Sequence, residues 1–199
     1  MTKTCCILLA PGAEESEVVI TCDVLRRGGI DVSICGLQDD PLVECAQKTK
    51  LGYDKKFKDC VNCTYDLVVI PGGPGHKKIC ACPQAGEFLR RHEKEGKFIG
   101  AICAGPIVLQ THGVGTGGNF TIYPSEKEKI VKDEKYNYTG ERVTLWNNII
   151  TSQAPGTAFE FALKLVEILQ GRDQAQKVCE SLLCTCHLSS PLSQAPRIR

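Results

Sequence analysis

The chain lacks an excess of charge and a long apolar run, and both absences exclude classes of protein. Its 199 residues carry a formal net charge of +1, which gives no reason to expect nucleic acid or an anionic membrane surface as a partner. The longest apolar run near the start, Cys5 to Ala10, is too short for a signal peptide or a membrane span. We therefore expect a cytoplasmic protein.

The sequence also lacks an internal repeat and any linker that would divide it. Its length suits one domain with a core that needs neither disulfides nor metal. We expect residues 1–187 to form that domain. Residues 188–199 are rich in Ser, Pro and Gln and have no hydrophobic periodicity, which predicts a disordered tail.

Cysteine, in contrast, is abundant, with thirteen residues. In a secreted protein this number would indicate a disulfide framework. Several of these cysteines lie inside apolar stretches, as Cys5, Cys22 and Cys35 do, and free cysteine packs well as a small buried hydrophobe. We therefore expect most of them to be reduced.

Three close pairs of cysteines raise the alternative of a zinc-binding module. They are Cys60 with Cys63, Cys80 with Cys82, and Cys184 with Cys186, the last followed by His187. Paired thiols at such spacing bind zinc. The pairs fall in separate loops, however, so we expect neither a metal nor any other cofactor.

Short apolar runs alternate with helical patterns along the chain. The predicted strands are Thr4 to Leu9, Asp31 to Leu37, Leu67 to Ile70, Phe98 to Ile102, Asn119 to Ile122 and Asn148 to Ser152. The predicted helices are Glu14 to Arg27, Gly86 to Glu95, Ala104 to Thr111, Ala158 to Leu169 (opened by a capping box at Thr157 and Glu160) and Asp173 to Leu183. This alternation predicts an α/β fold whose mostly parallel sheet is covered by helices on both faces.

Cys103 occupies the most informative position in this pattern. A buried strand there reverses into a helix, so the residue is expected to sit on a strained turn, a nucleophile elbow, at the carboxyl edge of the sheet. The first amides of the following helix should favour an anion and lower the thiol pKa below its usual value of about 8.5. We therefore interpret Cys103 as a reactive thiol; the alternative is a buried structural cysteine.

Two other strand ends could complete a site around Cys103. Gly72 and Gly73 follow a strand, and their amides could stabilise an oxyanion; the alternative is a plain tight turn. Glu14, Glu15 and Glu17 open the first helix, where acidic residues usually complement the helix dipole. One of these carboxylates could instead point over the sheet and exchange a proton with the thiol or a substrate.

The four histidines differ in their expected surroundings. We predict that His92, on a charged helix face, and His187, near the end of the chain, are solvated. His112 ends the helix after Cys103 and suits the helix dipole there. His76 follows the Gly-Gly turn and is therefore the histidine placed by sequence to approach the site.

Several motifs in the same order resemble the family of the parkinsonism-associated deglycase, within the superfamily of PfpI-type proteases and class I glutamine amidotransferase-like domains. They are Leu9 to Glu17, Asp23 to Ile30, Val68 to Gly73, Ala101 to Pro106 and Pro155 to Leu163. The resemblance spans about Thr4 to Leu183. It implies a flavodoxin-like three-layer sandwich and a homodimer, and it extends the expected location to the nucleus or mitochondrion.

The resemblance also implies roles for particular residues. Cys103 is expected to be the oxidisable nucleophile and Glu17 the carboxylate that touches it. Gly72, Gly73 and Ala104 match the family's oxyanion-binding backbone.

The sequence departs from the family pattern at three positions. Tyr123 stands where many relatives carry a histidine, so a Cys103–Glu17 pair is favoured over a Cys–His pair, with Tyr123 and His76 as possible accessory groups. Gln153 and Gln47 stand where relatives carry arginine, which removes cationic donors near the site or the dimer seam.

Two functions compete on this reading. The first is a glyoxalase or protein deglycase that acts on small 2-oxoaldehydes such as methylglyoxal, or on glycated amines and thiols, through a Cys103 hemithioacetal. The second is a redox sensor or chaperone of the oxidative stress response, whose output is Cys103 oxidation to sulfinate. Proteolysis is disfavoured because no convincing histidine base is present.

Overall fold

A computed structural model describes residues 1–132 and 134–185 of the chain, so the predicted tail at 188–199 and His187 lie outside the described residues. The centre of the molecule is a seven-stranded sheet. In spatial order its strands are β10 (Val143–Trp146), β11 (Ile149–Ser152), β7 (Phe98–Ile102), β6 (Leu67–Ile70), β1 (Thr4–Leu9), β2 (Asp31–Gly36) and β5 (Lys55–Lys56). Among the described strands of this sheet, β10 alone runs antiparallel to its neighbour, β11, which confirms the predicted mostly parallel sheet.

Helices cover both faces of this sheet. They are α1 (Glu15–Arg27), α2 (Phe57–Cys60), α3 (His76–Cys80), α4 (Pro83–Lys94), α5 (Pro106–Thr111), α6 (Lys127–Val131), α7 (Ala158–Gln170) and α8 (Arg172–Ser181). Alternate residues of β1 point into different cores: Cys5 and Ile7 pack with α1, α7 and α8, whereas Cys6 and Leu8 pack with α2, α4 and α5. The predicted α/β sandwich of three layers is therefore confirmed.

Two small ladders lie outside the central sheet. One pairs β3 (Leu42–Glu44) with β4 (Lys50–Gly52), and the other pairs β8 (Asn119–Phe120) with β9 (Asn137–Tyr138). The strand predicted at Asn119 to Ile122 is thus shorter than expected and does not join the main sheet. The residues that follow β8 are held by a side chain instead of a strand ladder: the Thr121 amide donates to the Thr151 hydroxyl at 2.9 Å.

Three local predictions are wrong, each for a physical reason. The helix after Cys103 begins at Pro106 rather than Ala104, because Ala104 and Gly105 are used by the turn. Thr157 and Glu160 do not form a capping box: the Thr157 hydroxyl bonds to Ala154 and Ser152, and Glu160 pairs with the Arg142 guanidinium.

His92 is the third correction, since it is fully buried rather than solvated. Its Nε2 accepts the Tyr65 amide at 3.0 Å, and its Nδ1 lies 2.8 Å from the Phe88 carbonyl. Both ring nitrogens are therefore satisfied inside the core. The charged residues next to His92 in the sequence led to the wrong prediction. They lie on the solvent-facing side of the helix, whereas His92 lies on its buried side.

The topology brings three strand ends together. β6 lies between β1 and β7. The chain segment after β1 contains Glu17, the segment after β6 contains Gly72, and the segment after β7 contains Cys103. Because the strands are parallel, all three segments emerge at the same edge of the sheet.

Candidate active site

Cys103 is held on the turn between β7 and α5 in a left-handed backbone conformation, with φ of +61°. Such a conformation is unfavourable for a residue with a side chain and persists only where the surroundings enforce it. Here the Cys103 amide donates to the Ser152 carbonyl at 2.9 Å, and its own carbonyl accepts the Tyr123 amide at 3.0 Å. The predicted elbow is therefore present, and backbone hydrogen bonds hold it through both its amide and its carbonyl.

Gly72 allows the neighbouring loop to pack directly against this elbow. A Cβ at position 72 would lie 2.5 Å from Cys103 Cβ and 2.8 Å from its Sγ, closer than packed atoms approach. Gly73 has a positive φ of +74°, and a Cβ at this position would lie 2.6 Å from the Glu14 amide nitrogen and 2.6 Å from the Gly12 carbonyl oxygen. Glycine at both positions is thus required by space, and at 73 also by backbone conformation.

The two glycine amides have different roles. The Gly73 and Ala104 amides hydrogen-bond to the Cys103 sulfur and favour its thiolate. The Gly72 amide instead donates to Glu17 Oε2 at 2.7 Å. The predicted amide donors at the thiol are therefore Gly73 and Ala104, whereas Gly72 orients the carboxylate.

Glu17 reaches this corner from the first turn of α1. Only 1% of it is exposed, and its second oxygen, Oε1, is buried without a hydrogen-bond partner among the described atoms. Burial raises the pKa of Glu17 to about 7, while the Gly72 amide and the interaction with Cys103 act in the opposite direction. The carboxyl group therefore exchanges its proton near neutral pH, as an acid–base group requires.

The other carboxylates at the start of α1 face elsewhere. Glu14 accepts the Ser16 hydroxyl at 2.8 Å. Glu15 accepts the amides of Gln47 and Thr49. Burial is the largest single influence on its pKa and acts upward, but its own backbone amide and those of Gln47 and Thr49 together lower the pKa. Of the three candidates, Glu17 is the carboxylate that meets Cys103.

The electrostatics of Cys103 differ from the expectation. Burial is the largest cause that raises the pKa of its thiol, to about 12, and the negative charge of Glu17 is the second; the amides of Gly73 and Ala104 only partly offset them. The prediction of a lowered thiol pKa is therefore wrong. When Glu17 carries the proton the second cause disappears, so the two groups titrate as a pair.

The two accessory candidates lie beside the site in different ways. His76 is buried, and its Nδ1 lies 2.8 Å from the Gly73 carbonyl, so it contacts the loop that carries an amide donor. The Tyr123 side chain is 42% exposed, and it is the backbone amide of Tyr123 that holds Cys103. Sequence reasoning missed this backbone role and that of Ser152, because both depend on strand neighbours that the sequence does not specify.

The remaining two departures from the family pattern differ in their contacts. The Gln153 side chain donates to the Gly140 carbonyl at 2.9 Å, whereas Gln47 donates to Glu15 through its backbone amide, a bond that does not depend on the side chain. Within residues 1–132 and 134–185, no three His, Cys, Asp or Glu side chains are grouped to hold a metal ion. No helix in the same residues is both long and apolar enough to cross a membrane.

Comparisons with known proteins agree with this architecture. The DJ-1/PfpI family model matches residues 3–168. The chain is 44% identical over 181 residues to a "Glutathione-independent glyoxalase DJR-1.2" of Caenorhabditis elegans, covering 90% of this chain and 96% of the relative. It is 41% identical to "Protein dj-1beta" of Drosophila melanogaster over 92% of this chain and 98% of that one.

Solved structures show the same similarity. The crystal structure of Drosophila melanogaster DJ-1beta superposes with a TM-score of 0.91 at 41% identity, covering 94% of this chain and 100% of that one. An oxidised Toxoplasma gondii DJ-1 gives a TM-score of 0.88 at 35% identity, with 93% and 100% covered. With the family model, the curated relatives and the fold in agreement, the chain belongs to the DJ-1/PfpI family.

Proposed function

We propose that this protein is a cysteine-dependent glyoxalase that converts methylglyoxal and related 2-oxoaldehydes into 2-hydroxy acids, with protein deglycase activity on the corresponding adducts. The observation that carries the proposal is the meeting of Cys103, Glu17 and the amides of Gly73 and Ala104 in one buried corner. The glyoxalase name of the Caenorhabditis elegans relative supports enzyme activity of this kind.

In the first step, the Cys103 thiol gives its proton to Glu17 as its sulfur attacks the aldehyde carbon. Ionised Glu17 suppresses the free thiolate, so proton transfer and attack are expected to be coupled. The carbonyl π electrons move to oxygen, and in this proposal the amides of Gly73 and Ala104 stabilise the resulting oxyanion. Return of the proton from Glu17 to this oxygen gives the hemithioacetal.

In the second step, Glu17 moves a proton between the two substrate carbons. Its carboxylate removes the proton from the former aldehyde carbon, and the electron pair forms an enediolate as the hydroxyl proton passes to the neighbouring oxygen. Return of the proton from Glu17 to the neighbouring carbon then gives a thioester of the 2-hydroxy acid. Water then cleaves the carbon–sulfur bond, which releases lactate from methylglyoxal and restores the thiol. With an amine or thiol adduct as substrate, the Cys103 sulfur displaces the repaired amine or thiol from the adduct carbon, and the leaving group takes the thiol proton through Glu17. This gives the same hemithioacetal, and the later steps again release the 2-hydroxy acid and restore the thiol.

A pH profile tests the assignment of Glu17 as the base. Because the unprotonated carboxylate accepts the thiol proton, we expect kcat/KM to rise with pH and level off near the Glu17 pKa of about 7. The Glu17→Gln variant should lose activity at every pH, whereas Glu15→Gln on the same helix should keep the wild-type profile. An unchanged profile in Glu17→Gln would remove Glu17 from the mechanism.

A redox sensor built on the same thiol is the second candidate, favoured by one feature of the site. The amide donors that surround the Cys103 sulfur would also stabilise a sulfinate anion, and a protonated Glu17 would add a hydrogen bond. Mild peroxide should then add two oxygens at Cys103. Turnover of methylglyoxal at a rate no greater than that of free thiol would favour this second function.

We also propose that the protein forms a homodimer through α1, as its family resemblance implies. Val19 on this helix is 48% exposed, which leaves an apolar side chain on the surface concerned. Sedimentation should give the mass of two chains at micromolar concentration. A monomer there would contradict the assembly without affecting the chemistry at Cys103.

A further inference from the structure

A second group of sulfurs lies in the core on the face of the sheet opposite α1. Cys35 on β2 and Cys60 at the end of α2 place their Sγ atoms 3.6 Å apart, and both side chains are buried. Cys63 follows three residues after Cys60 and is exposed. The chain thus has a buried pair of thiols with a solvent-facing thiol beside it in sequence.

We propose that Cys35 and Cys60 form a reversible disulfide and that Cys63 is the thiol through which the oxidant reaches them. This site is separate from Cys103 and does not depend on the proposed glyoxalase activity. The oxidant is a hydroperoxide, and the reductant that restores the pair is a small thiol. The pair therefore gives the protein a second oxidation state.

The geometry of the pair supports a bond between the two sulfurs. A disulfide needs an S–S distance of about 2.05 Å, so the sulfurs must approach by about 1.5 Å from their present 3.6 Å. Cys35 is fixed in the sheet, paired with Leu8 and Lys55. Cys60 ends a helix of four residues outside the sheet, so we expect its side chain, rather than the strand, to supply the approach.

The surroundings of Cys35 suit a nucleophile. Side-chain hydrogen bonds from Cys6, which contribute most, and from Cys60 and Tyr65 lower the pKa of its thiol although burial acts in the opposite direction. Cys60 has the reverse environment, because burial raises its pKa to about 11. In the exchange that forms the Cys35–Cys60 bond, the attacking thiolate is therefore Cys35, and the sulfur attacked is that of Cys60.

The turn that carries Cys63 is held in place. The Arg91 guanidinium donates to the carbonyls of Val61 and Cys63, each at 2.7 Å. The Cys63 amide donates to the Cys60 carbonyl at 2.9 Å, closing the turn. These bonds hold the turn against Cys60, while the Cys63 side chain stays exposed to solvent.

The electrons balance over three steps. Cys63 attacks the hydroperoxide, which leaves as alcohol or water, and becomes a sulfenic acid. Cys60 attacks that sulfur and releases water, giving a Cys60–Cys63 disulfide. Cys35 then attacks the Cys60 sulfur, and Cys63 leaves as a thiolate that takes a proton from solvent. The sum is one hydroperoxide reduced by two electrons and one Cys35–Cys60 disulfide formed.

Peptide mass spectrometry on the full chain tests the proposal. The protein carries Cys103→Ser, to remove the competing oxidation, and Cys45→Ala, because Cys45 shares its tryptic peptide, residues 28–48, with Cys35. It is treated with one equivalent of tert-butyl hydroperoxide, alkylated and digested without reduction. We expect peptide 28–48 linked to peptide 59–77, with fragmentation placing the bond at Cys60, and full release by dithiothreitol.

Two results would overturn the proposal. If Cys35 is found alkylated and unlinked after the peroxide is consumed, Cys35 and Cys60 do not form a disulfide. The same conclusion follows if the final product is a Cys60–Cys63 disulfide. Adding Cys63→Ser should slow formation of the same cross-link at least about tenfold, while Cys82→Ser, in another loop, should not change the rate. An unchanged rate in Cys63→Ser would exclude Cys63 as the first thiol oxidised.

Discussion

Replacing Glu17 with Gln is expected to stabilise the protein at alkaline pH while abolishing its activity. Burial raises the pKa of Glu17 from 4.5 to about 7. The folded state therefore holds a proton between these values that the unfolded chain releases, so the wild-type protein loses stability as pH rises from about 4.5 to 7. Glutamine keeps the shape of the side chain and can still accept the Gly72 amide, but it has no charge to bury.

The size of this effect follows from the two pKa values. A full shift from 4.5 to about 7 corresponds to about 3 kcal/mol once both states are ionised, and most of it, about 2.5 kcal/mol, accumulates between about pH 5 and pH 8. The free energy of unfolding of Glu17→Gln, relative to wild type, should increase by that amount over this range. Catalytic groups held in such unfavourable environments commonly show this trade of stability for activity.

Urea unfolding at about pH 5 and about pH 8, with all proteins at one protomer concentration, measures the difference. Glu15→Gln is the matched control. The pKa of Glu15 is lowered, so this group is ionised in both states across the range and its variant should show no such pH dependence. Equal stability differences at the two pH values for Glu17→Gln would show that Glu17 is not a carboxyl group with a raised pKa.

The remaining predictions concern the frame of the site and the core. Gly72→Ala should lower turnover about a hundredfold and reduce the free energy of unfolding by about 1 to 3 kcal/mol, because the new Cβ would meet Cys103. Gly156→Ala is the control: its Cβ would have nothing within 4 Å, so turnover and urea unfolding should match those of wild type. Burial lowers the pKa of His92, so in the folded protein it stays neutral at a pH where the unfolded chain binds a proton. The stability contributed by His92 should therefore be lost as pH falls below about 6.5. A His92→Gln variant with the wild-type pH dependence of unfolding would contradict this. His76→Ala should change kcat little, since the ring contacts the Gly73 carbonyl rather than the reacting sulfur, and a loss as large as that of Cys103→Ala would make His76 a catalytic residue.

The sequence was sufficient to predict the main strands and the elbow. Runs such as Leu67–Ile70 are apolar on both faces and short, which is typical of strands in a covered parallel sheet, and all four residues are buried. The turn at Cys103 was predictable because a buried strand is followed at once by Ala104 and Gly105, small residues that permit close packing.

Other features could not be predicted, because they depend on contacts between distant segments. The Gly72 amide serves Glu17 rather than an oxyanion, which depends on how α1 packs against the β6 loop. The burial of His92 depends on the Tyr65 amide reaching its ring from another segment. The raised pKa of Cys103 arises from the depth of the site and from Glu17, whereas its position before a helix suggested the opposite.

The most direct test of the central claim is lactate formation from methylglyoxal without added thiol, measured for wild type and for Cys103→Ser. Both proteins should first show the same far-ultraviolet circular dichroism and the same elution volume. If the Cys103 sulfur forms the bond to substrate, the serine variant should lose at least about a thousandfold in kcat/KM. A Cys103→Ser protein that makes lactate within a few-fold of the wild-type rate would contradict the account.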